Sequence, residues 1–495
     1  MNKYLGLWLS TMFCLSSFAT ESTKEGFLSS TNATYDGSAL LLSGHVILDH
    51  GLGKMTAEEA SLQKQETGKD FPFSIIHLNK EVLLSLKNQS TLLCDRAELD
   101  FSSLKGHLTA PTSGAVCYTD HILQKGGKDR SVTLKSSSID LSLLRQDLSD
   151  KKTEYDIETV IAKDMVNINF NQEFILDADH ALYRKTLRDR TVDKEFQGII
   201  TAYPKDATSF CTIRHGSDTI EAHSIDLNLI HSVVSLHKAK GSIAASLLPI
   251  QDPMIRFTSD FITWNSPQET LSLKGRSEIH ETTLGTIHTE EELIIEQSIL
   301  KGKKMISKIS TKGPSTLSYS DPSTKALHKL FCKGVMKVDR EHLNAQLSSP
   351  KSEGKKTSIA EQVYYEEASM GVYADSAAVE FSAQEHILEP VSLSLKGSVC
   401  MFSRGSQEPF RCGIADRMSY CPNTKTLILS ANPGRKVLFF DEQQAVRMSA
   451  QEVHLTQNPT THQAVIQGVG NVKFSLSVEE NETLNKFFPQ YKPMP

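Results

Sequence analysis

The chain has 495 residues, a formal net charge of -6 and a hydrophobic fraction of 39%. That length suits two or three ordinary domains or one long repeat array, and the apolar content excludes a chain disordered throughout. The acidic balance excludes nucleic acid as the main partner, because a phosphate-binding surface needs net or clustered positive charge.

The first residues read as a secretory signal, residues 1–19. Lys3 supplies a short positive region, an apolar run follows to Leu15, and Ser17-Phe18-Ala19 places small residues before a cut after Ala19. The run is too short to be a convincing membrane span. Cys14 is preceded by Phe13, where a lipid-modified cysteine needs a small residue. The mature chain then keeps Cys94, Cys117, Cys211, Cys332, Cys400, Cys412 and Cys421, with no CxxC and no zinc-ligand spacing. In an exported protein some could be oxidised, Cys412 and Cys421 being closest in sequence. The other reading makes them small buried residues on strands.

A repeat follows. Tyr35-Asp36-Gly37 signals a turn, and Leu40-Leu41-Leu42-Ser43-Gly44-His45-Val46 an apolar strand interrupted by glycine. A hexamer comes next, Ala57-Glu58-Glu59-Ala60-Ser61-Leu62: small, polar, any, apolar, any, then Leu or an aromatic. The small residue returns at Cys94, Ser137, Ala178, Ala222, Ser259, Thr289, Ala374, Ala415 and Ala450, with a degenerate copy near 313–319. Glycine-interrupted strands lie between, around Gly106, Gly198, Gly241, Gly275, Gly334 and Gly397, and the last at Gly468-Val469-Gly470. Ordered recurrence of this kind signals units stacked on their neighbours. It divides the chain into an array over 20–300, an irregular insertion or linker over 301–369, a second repeat module over 370–477 and a flexible tail over 478–495. The basic runs at 301–312 and Lys355-Lys356 read as solvated loops. Short helical insertions are expected from Asp321-Pro322-Ser323 onward and between Leu141 and Asp164.

The units are β. In Cys94-Asp95-Arg96-Ala97-Glu98-Leu99-Asp100-Phe101, residues 97, 99 and 101 share an apolar face, and 96, 98 and 100 a polar one. A period of two means one dry and one wet face, as in antiparallel strands, so the fold class is all-β and repetitive.

Ala415-Asp416-Arg417-Met418-Ser419-Tyr420 with Gly468-Val469-Gly470-Asn471-Val472, and Asp177-Ala178-Asp179-His180-Ala181-Leu182-Tyr183 with Leu42-Ser43-Gly44-His45-Val46, resemble the OstA/LptA family of lipopolysaccharide-transport proteins. The resemblance covers most of the mature chain and is weakest over 301–369. It implies antiparallel strands stacked into an elongated V-shaped groove with an apolar interior. It implies a carrier or bridge for lipopolysaccharide or lipooligosaccharide, periplasmic or associated with the outer membrane. Its partners would be other transport proteins pairing at open strand edges, with peripheral rather than integral membrane association. About ten two-strand units at roughly 4.8 Å per strand would make an array of about 100 Å. Against that family the chain is longer than a single bridging subunit needs, and a C-terminal barrel like that of the outer-membrane member is not expected from it.

On that resemblance, acyl chains would lie against Leu99, Phe101, Tyr183, Ile225, Leu227, Trp264, Val379, Phe381, Tyr420, Val453, Leu455, Val472 and Phe474. The competing reading has these residues packing against the opposite wall as core. Asp95, Asp179, Asp375 and Asp416 recur at one position, which argues for backbone hydrogen bonding, since an active site is needed once and not in every unit. Glu58-Glu59 and Glu290-Glu291-Glu292 do not make a catalytic pair, because neighbours on a strand point to opposite faces. With no HExxH, phosphate loop or GxSxG, no enzyme, cofactor or metal is expected. A β-solenoid surface scaffold, of adhesin or passenger type, is the alternative to the carrier.

Overall fold

The structure is a computed structural model describing residues 27–64, 73–111, 114–122, 130–147, 153–185, 198–300, 302–320, 325–350, 358–367, 370–384, 387–403, 410–442, 446–457 and 464–476. The signal at 1–19, the tail at 478–495 and the helix start at 321–323 lie outside the described residues. Among the described residues every regular element longer than one turn is a β-strand, and the strands pair antiparallel. The helix expected between 141 and 164 is instead strand, Ser138–Asp147 and Thr153–Phe170. Ile139, Leu141 and Leu143 are buried with polar residues between them, a period that a helix would not present to one core.

The described residues form two compact units, those of 27–120 with 138–159, and those of 121–137 with 160–476. In the first, four long strands pair in sequence: Ala39–His50, Gly53–Lys64, Phe73–Leu86 and Thr91–Asp100. Each pairing slips register in mid-strand, between Ser43 and Val46, Thr56 and Glu59, and Asn79 and Val82. Their inward faces are dry, with Leu62, Ile76, Leu84 and Leu99 fully buried. His50 packs at one end against Phe101 and Tyr155, ring centroids 4.1 and 5.2 Å away. Burial, then the charge of Lys87, lowers the His50 imidazole to about 4, so it is neutral at physiological pH.

The second unit is one meander bent at a corner. Each long crossing pairs over its first half with one set of neighbours and over its second half with another. Phe174–Arg184 pairs with Cys211–His215 through residues 174–177 and with Ile199–Tyr203 through 180–184. Two ladders result. One arm runs through Asp218–Ala222, Gly285–Thr289, Ser315–Ser320, Leu327–Cys332 and Val363–Glu367. The other runs through Ser224–Asn228, Glu292–Leu300, Val335–Asp339, Asn344–Ser348 and Ser376–Gln384. The strands Val233–Ile243, Ile255–Asn265, Thr270–Glu281, Ile387–Ser403 and Arg411–Cys421 belong to both.

The two sequence signatures are the two directions of crossing. Going one way, the corner carries a small residue and a polar one, such as Ser259-Asp260, Ala374-Asp375 or Ala415-Asp416. Coming back it carries glycine at positive φ, as at Gly275 (φ +79°) and Gly397 (φ +79°). The bend strands backbone N–H groups, and the aspartates take them. Asp260 Oδ2 accepts from Arg276 N at 2.9 Å, Asp416 Oδ2 from Asn432 N at 2.7 Å and Asp179 Oδ2 from Lys205 N at 2.8 Å. Asp375 instead accepts from the Gln362 side chain at 3.1 Å. A Cβ on Gly275 would lie 2.7 Å from Asp260 Oδ2, and one on Gly397 would strike Asp375. The aspartate of one crossing therefore covers the glycine of the next, which explains why the two residues recur together. Asp416, nearly buried, also holds Arg435 at 2.6 Å. Asp416→Ala should cost about 1.5–2 kcal/mol, because a part-buried hydrogen bond to a charged acceptor is lost. Urea unfolding of the variant and of Arg435→Ala, which removes only a surface partner, would separate the two contributions.

Residues 301–369, read from sequence as an irregular insertion or linker, supply strands to both arms. Lys303–Lys312 pairs with Val335–Asp339, and Leu327–Cys332 with Val363–Glu367. Most of these strands are short, and Pro314 and Pro350 stand at crossings, so alternation is interrupted just where it would be read.

The cysteines sit on this framework as small residues. Cys94, Cys211, Cys332, Cys400 and Cys412 are buried, and burial pushes the Cys94, Cys211 and Cys412 thiols up to about 12. Cys412 and Cys421 lie near opposite ends of one strand, about 30 Å apart along its path at about 3.3 Å per residue and in different arms, and do not pair.

Candidate functional site

The inward residues of the second unit close on one another. Ile225, Leu227 and Val453 are fully buried, and Tyr183, Trp264, Val379 and Phe381 nearly so. Leu99 and Phe101 hold the same kind of position in the first unit. Tyr420 and Leu455 are half-buried. Val472 and Phe474 are exposed, at 43% and 54%, because no further described strand packs over the last crossing. The two arms interlock where the interior is tightest. A Cβ on Gly413 would lie 2.6 Å from Leu429 Cδ1, and one on Gly468 would lie 2.7 Å from Met448 Sδ.

An apolar cavity of about 30 Å³ interrupts this packing. Leu317, Tyr319, His328, Leu330 and Tyr365 line it from one arm. Val379, Phe381, Pro390, Leu393 and Tyr420 line it from the other, with Pro422 beside them. Three of the predicted contact residues, Val379, Phe381 and Tyr420, thus meet around one space. Tyr319, His328 and Tyr365 are lining residues that the sequence reading did not single out. For Tyr319 the signal was present in the degenerate copy at 313–319, where Leu317 and Tyr319 alternate with polar residues.

The arms are tied together at their tips. Tyr319 Oη donates to the Leu388 carbonyl at 2.9 Å, a buried link from a lining residue of one arm to the other arm. The hairpin carrying Leu388 leans inward after a register shift between Glu380 and Phe381. The hairpin of Glu292–Leu300 and Lys303–Lys312 shifts in the same way between Glu296 and Gln297, and its Ile306 N donates to Ser246 O at 2.9 Å. Just past these shifts, Gln297 Nε2, Ser298 Oγ and Ser382 Oγ are buried without a partner among the described residues.

Trp264 stands at another tip contact. Its ring meets Phe174 and His215 edge-on, centroids 5.4 and 5.2 Å away. Lys304 Nζ lies 5.8 Å above the same ring and 2.9 Å from buried Asp218 Oδ2, while His215 Nδ1 stands 3.8 Å from that oxygen. Burial pushes the Asp218 carboxyl up, but the His215 ring, the Ala244 N–H and the Lys304 ammonium outweigh it, and the group sits below its ordinary value. A depressed carboxylate contributes stability that is present above its unfolded value of about 3.9 and is lost as pH falls through the folded value. Acid titration followed by intrinsic Trp264 fluorescence should show this loss, and Lys304→Met should move it to higher pH.

Glutamates of the two acidic runs serve surface pairs. Glu59 meets Lys80 at 2.6 Å, Glu58 meets His45 at 3.2 Å, and Glu292 meets Lys312 at 2.7 Å. No protein-family model matches the chain, and no curated protein matches it as a relative.

Proposed function

We propose that the space between the arms of the second unit receives the acyl part of an amphiphile, and that the protein is a periplasmic carrier or bridge for lipopolysaccharide or lipooligosaccharide. The observation that supports this most is the cavity in which Val379, Phe381 and Tyr420 converge, an almost purely carbon-lined space between two sheet arms. The resemblance of the repeat to the OstA/LptA family supplies the cargo class.

Acyl burial is favourable at about 0.8 kcal/mol per CH₂. A cavity of about 30 Å³ has room for about two waters, so it seats only the end of a chain. Loading a longer stretch requires the arms to part at their tips, and the Tyr319–Leu388 hydrogen bond is the link that breaks there. One neutral hydrogen bond contributes roughly 1 kcal/mol net, less than two methylenes return. Similar sites in series would then let a chain move without a deep trap.

Photo-crosslinking in cells tests the reading, with the probe at Phe381 or Tyr420 and at exposed Glu380 on the outer face. Lipopolysaccharide adducts from the two inward sites alone are expected. A folded protein that gives no adduct at either site would turn the assignment toward the second reading, a surface scaffold. That reading draws on the close packing of Ile225, Leu227 and Val453, which resembles a core more than a channel.

A further inference from the structure

The hairpin of Glu292–Leu300 and Lys303–Lys312 leaves its own arm partway along. Its first strand pairs with Thr270–Glu281 only as far as Glu296, opposite Thr270. Its second strand pairs with Val335–Asp339 only from Lys308, opposite Asp339. The last backbone bonds to that arm are Gln297 N to Glu269 O and Arg340 N to Ser307 O, at 2.9 and 3.1 Å. Beyond them Gln297–Leu300 and Lys303–Ile306 pair with each other alone among the described residues. The end of the hairpin is thus a two-stranded ribbon with no strand on either edge, and such a ribbon is marginal in water by itself.

The other arm holds it. Lys304 Nζ donates to Asp218 Oδ2 at 2.9 Å and stands 3.3 Å from His215 Nδ1. Ile306 N donates to Ser246 O at 2.9 Å. Ser246 is fixed in turn by Glu281, whose Oε1 accepts from its hydroxyl at 2.6 Å and from Leu247 N at 3.1 Å. Met305 and Ile306 are buried, so the closed position is the resting one. The neck is poorly satisfied. Gln297 Nε2 and Ser298 Oγ are buried there without a partner among the described residues, and such groups favour any movement that returns them to water. Trp264, 4% exposed, stands beneath the Lys304 ammonium.

We propose that residues 297–306 are a strap across the side of the second unit. It is hinged at the register shift after Glu296 and latched by Lys304 on Asp218 and by Ile306 on Ser246. When it swings away, the side of the unit opens beside Trp264. The swing stands on these contacts alone; only the identity of what enters rests on the acyl-chain reading above. Lys304 is a positioning residue and lies outside the cavity lining.

Hydrogen–deuterium exchange of the whole mature chain tests the swing. In the wild type the paired amides of 297–306 should exchange through a local opening, about tenfold or more faster than those of Thr270–Glu281, and with little response to dilute urea. Lys304→Met keeps the stem and drops the ammonium. It should speed exchange of the strap about tenfold further, the factor that goes with one charge-assisted hydrogen bond, and leave Thr270–Glu281 unchanged. Acrylamide should quench Trp264, the only tryptophan beyond the expected signal, more strongly in the variant. Strap and strand exchanging together in the wild type, with one urea dependence, would overturn the proposal. A strap that exchanges at the wild-type rate in Lys304→Met would overturn the latch. The wild-type comparison needs no variant, so failure of Lys304→Met to fold would not shield the proposal. A fluorescent fatty acid should associate faster with the variant at similar affinity. Equal rates would overturn the strap as entrance, whereas no binding to either protein would sink the acyl reading and leave the strap standing.

Discussion

Leu227→Asp should abolish sheet structure and acyl binding together, whereas Tyr420→Asp should abolish binding and leave the sheet intact. Leu227 has no exposure and stands between two paired strands of one arm. A carboxylate there loses a leucine's burial, about 2–5 kcal/mol for the lost packing, and adds the several-kcal/mol cost of an unpaired buried charge. The sum is comparable to the whole stability of an ordinary domain, about 5–15 kcal/mol. Tyr420 is half-buried at the rim of the cavity, so a carboxylate in its place can reach water while still presenting charge to an entering chain. Far-ultraviolet circular dichroism and fatty-acid binding on the two variants decide the point. If both variants keep the sheet and both lose binding, the interior is a continuous groove. If Tyr420→Asp also unfolds, the cavity is core.

Glu281→Leu should be the most damaging substitution of a polar residue in the second unit. Glu281 is completely buried, and its carboxylate accepts from Ser246 Oγ, Leu247 N, Thr283 N, Thr283 Oγ1 and Leu284 N, at 2.6–3.1 Å. Leucine fills a similar volume but accepts nothing, leaving three backbone N–H groups and two hydroxyls without their acceptor. At about 1–3 kcal/mol for each buried orphan, partly relieved by local opening, a loss on the order of 4–5 kcal/mol is expected. The damage should be local first. Limited proteolysis should cut within 244–254, the connection that Glu281 anchors, before the arms separate. Glu281→Gln keeps one acceptor oxygen and should retain more than half of the stability. Equal protease resistance of Glu281→Leu and wild type would show that the connection is held by packing of Ala245, Leu247 and Leu248 alone.

The fold class was legible in the sequence because one face of each strand is dry and the other wet. Ala97, Leu99 and Phe101 are buried as the alternation requires, and Arg96 and Glu98 are exposed. The aspartate and glycine signatures were visible as recurrent, but their relation was not, since the two residues meet only across neighbouring crossings. The strands at 138–170 were misread because Leu143-Leu144 and Asp164-Met165 break the period of two; the latter pair stands at a bend with positive φ, 59° and 52°. The cavity was half legible. Val379, Phe381 and Tyr420 lie in clean copies of the repeat. Tyr319, His328 and Tyr365 lie where short strands and prolines blur it, and His328 carries no pattern of its own. Its ring meets the Tyr365 hydroxyl, a neighbour in space that sequence spacing does not reveal.

The pairing of an aspartate crossing with a glycine crossing limits how such a chain can change length. Removing one out-and-back excursion joins an aspartate corner to the glycine corner of the next copy, and both ladders close again. Removing a single crossing sets two corners of the same kind side by side. Gly397 would then face no carboxylate, and the N–H groups that Asp375 or Asp416 serve would face no oxygen. It would also reverse the direction of every later strand. Excision or duplication is thus tolerated in steps of about forty residues and not in steps of twenty, which makes the repeat a ruler with only whole marks.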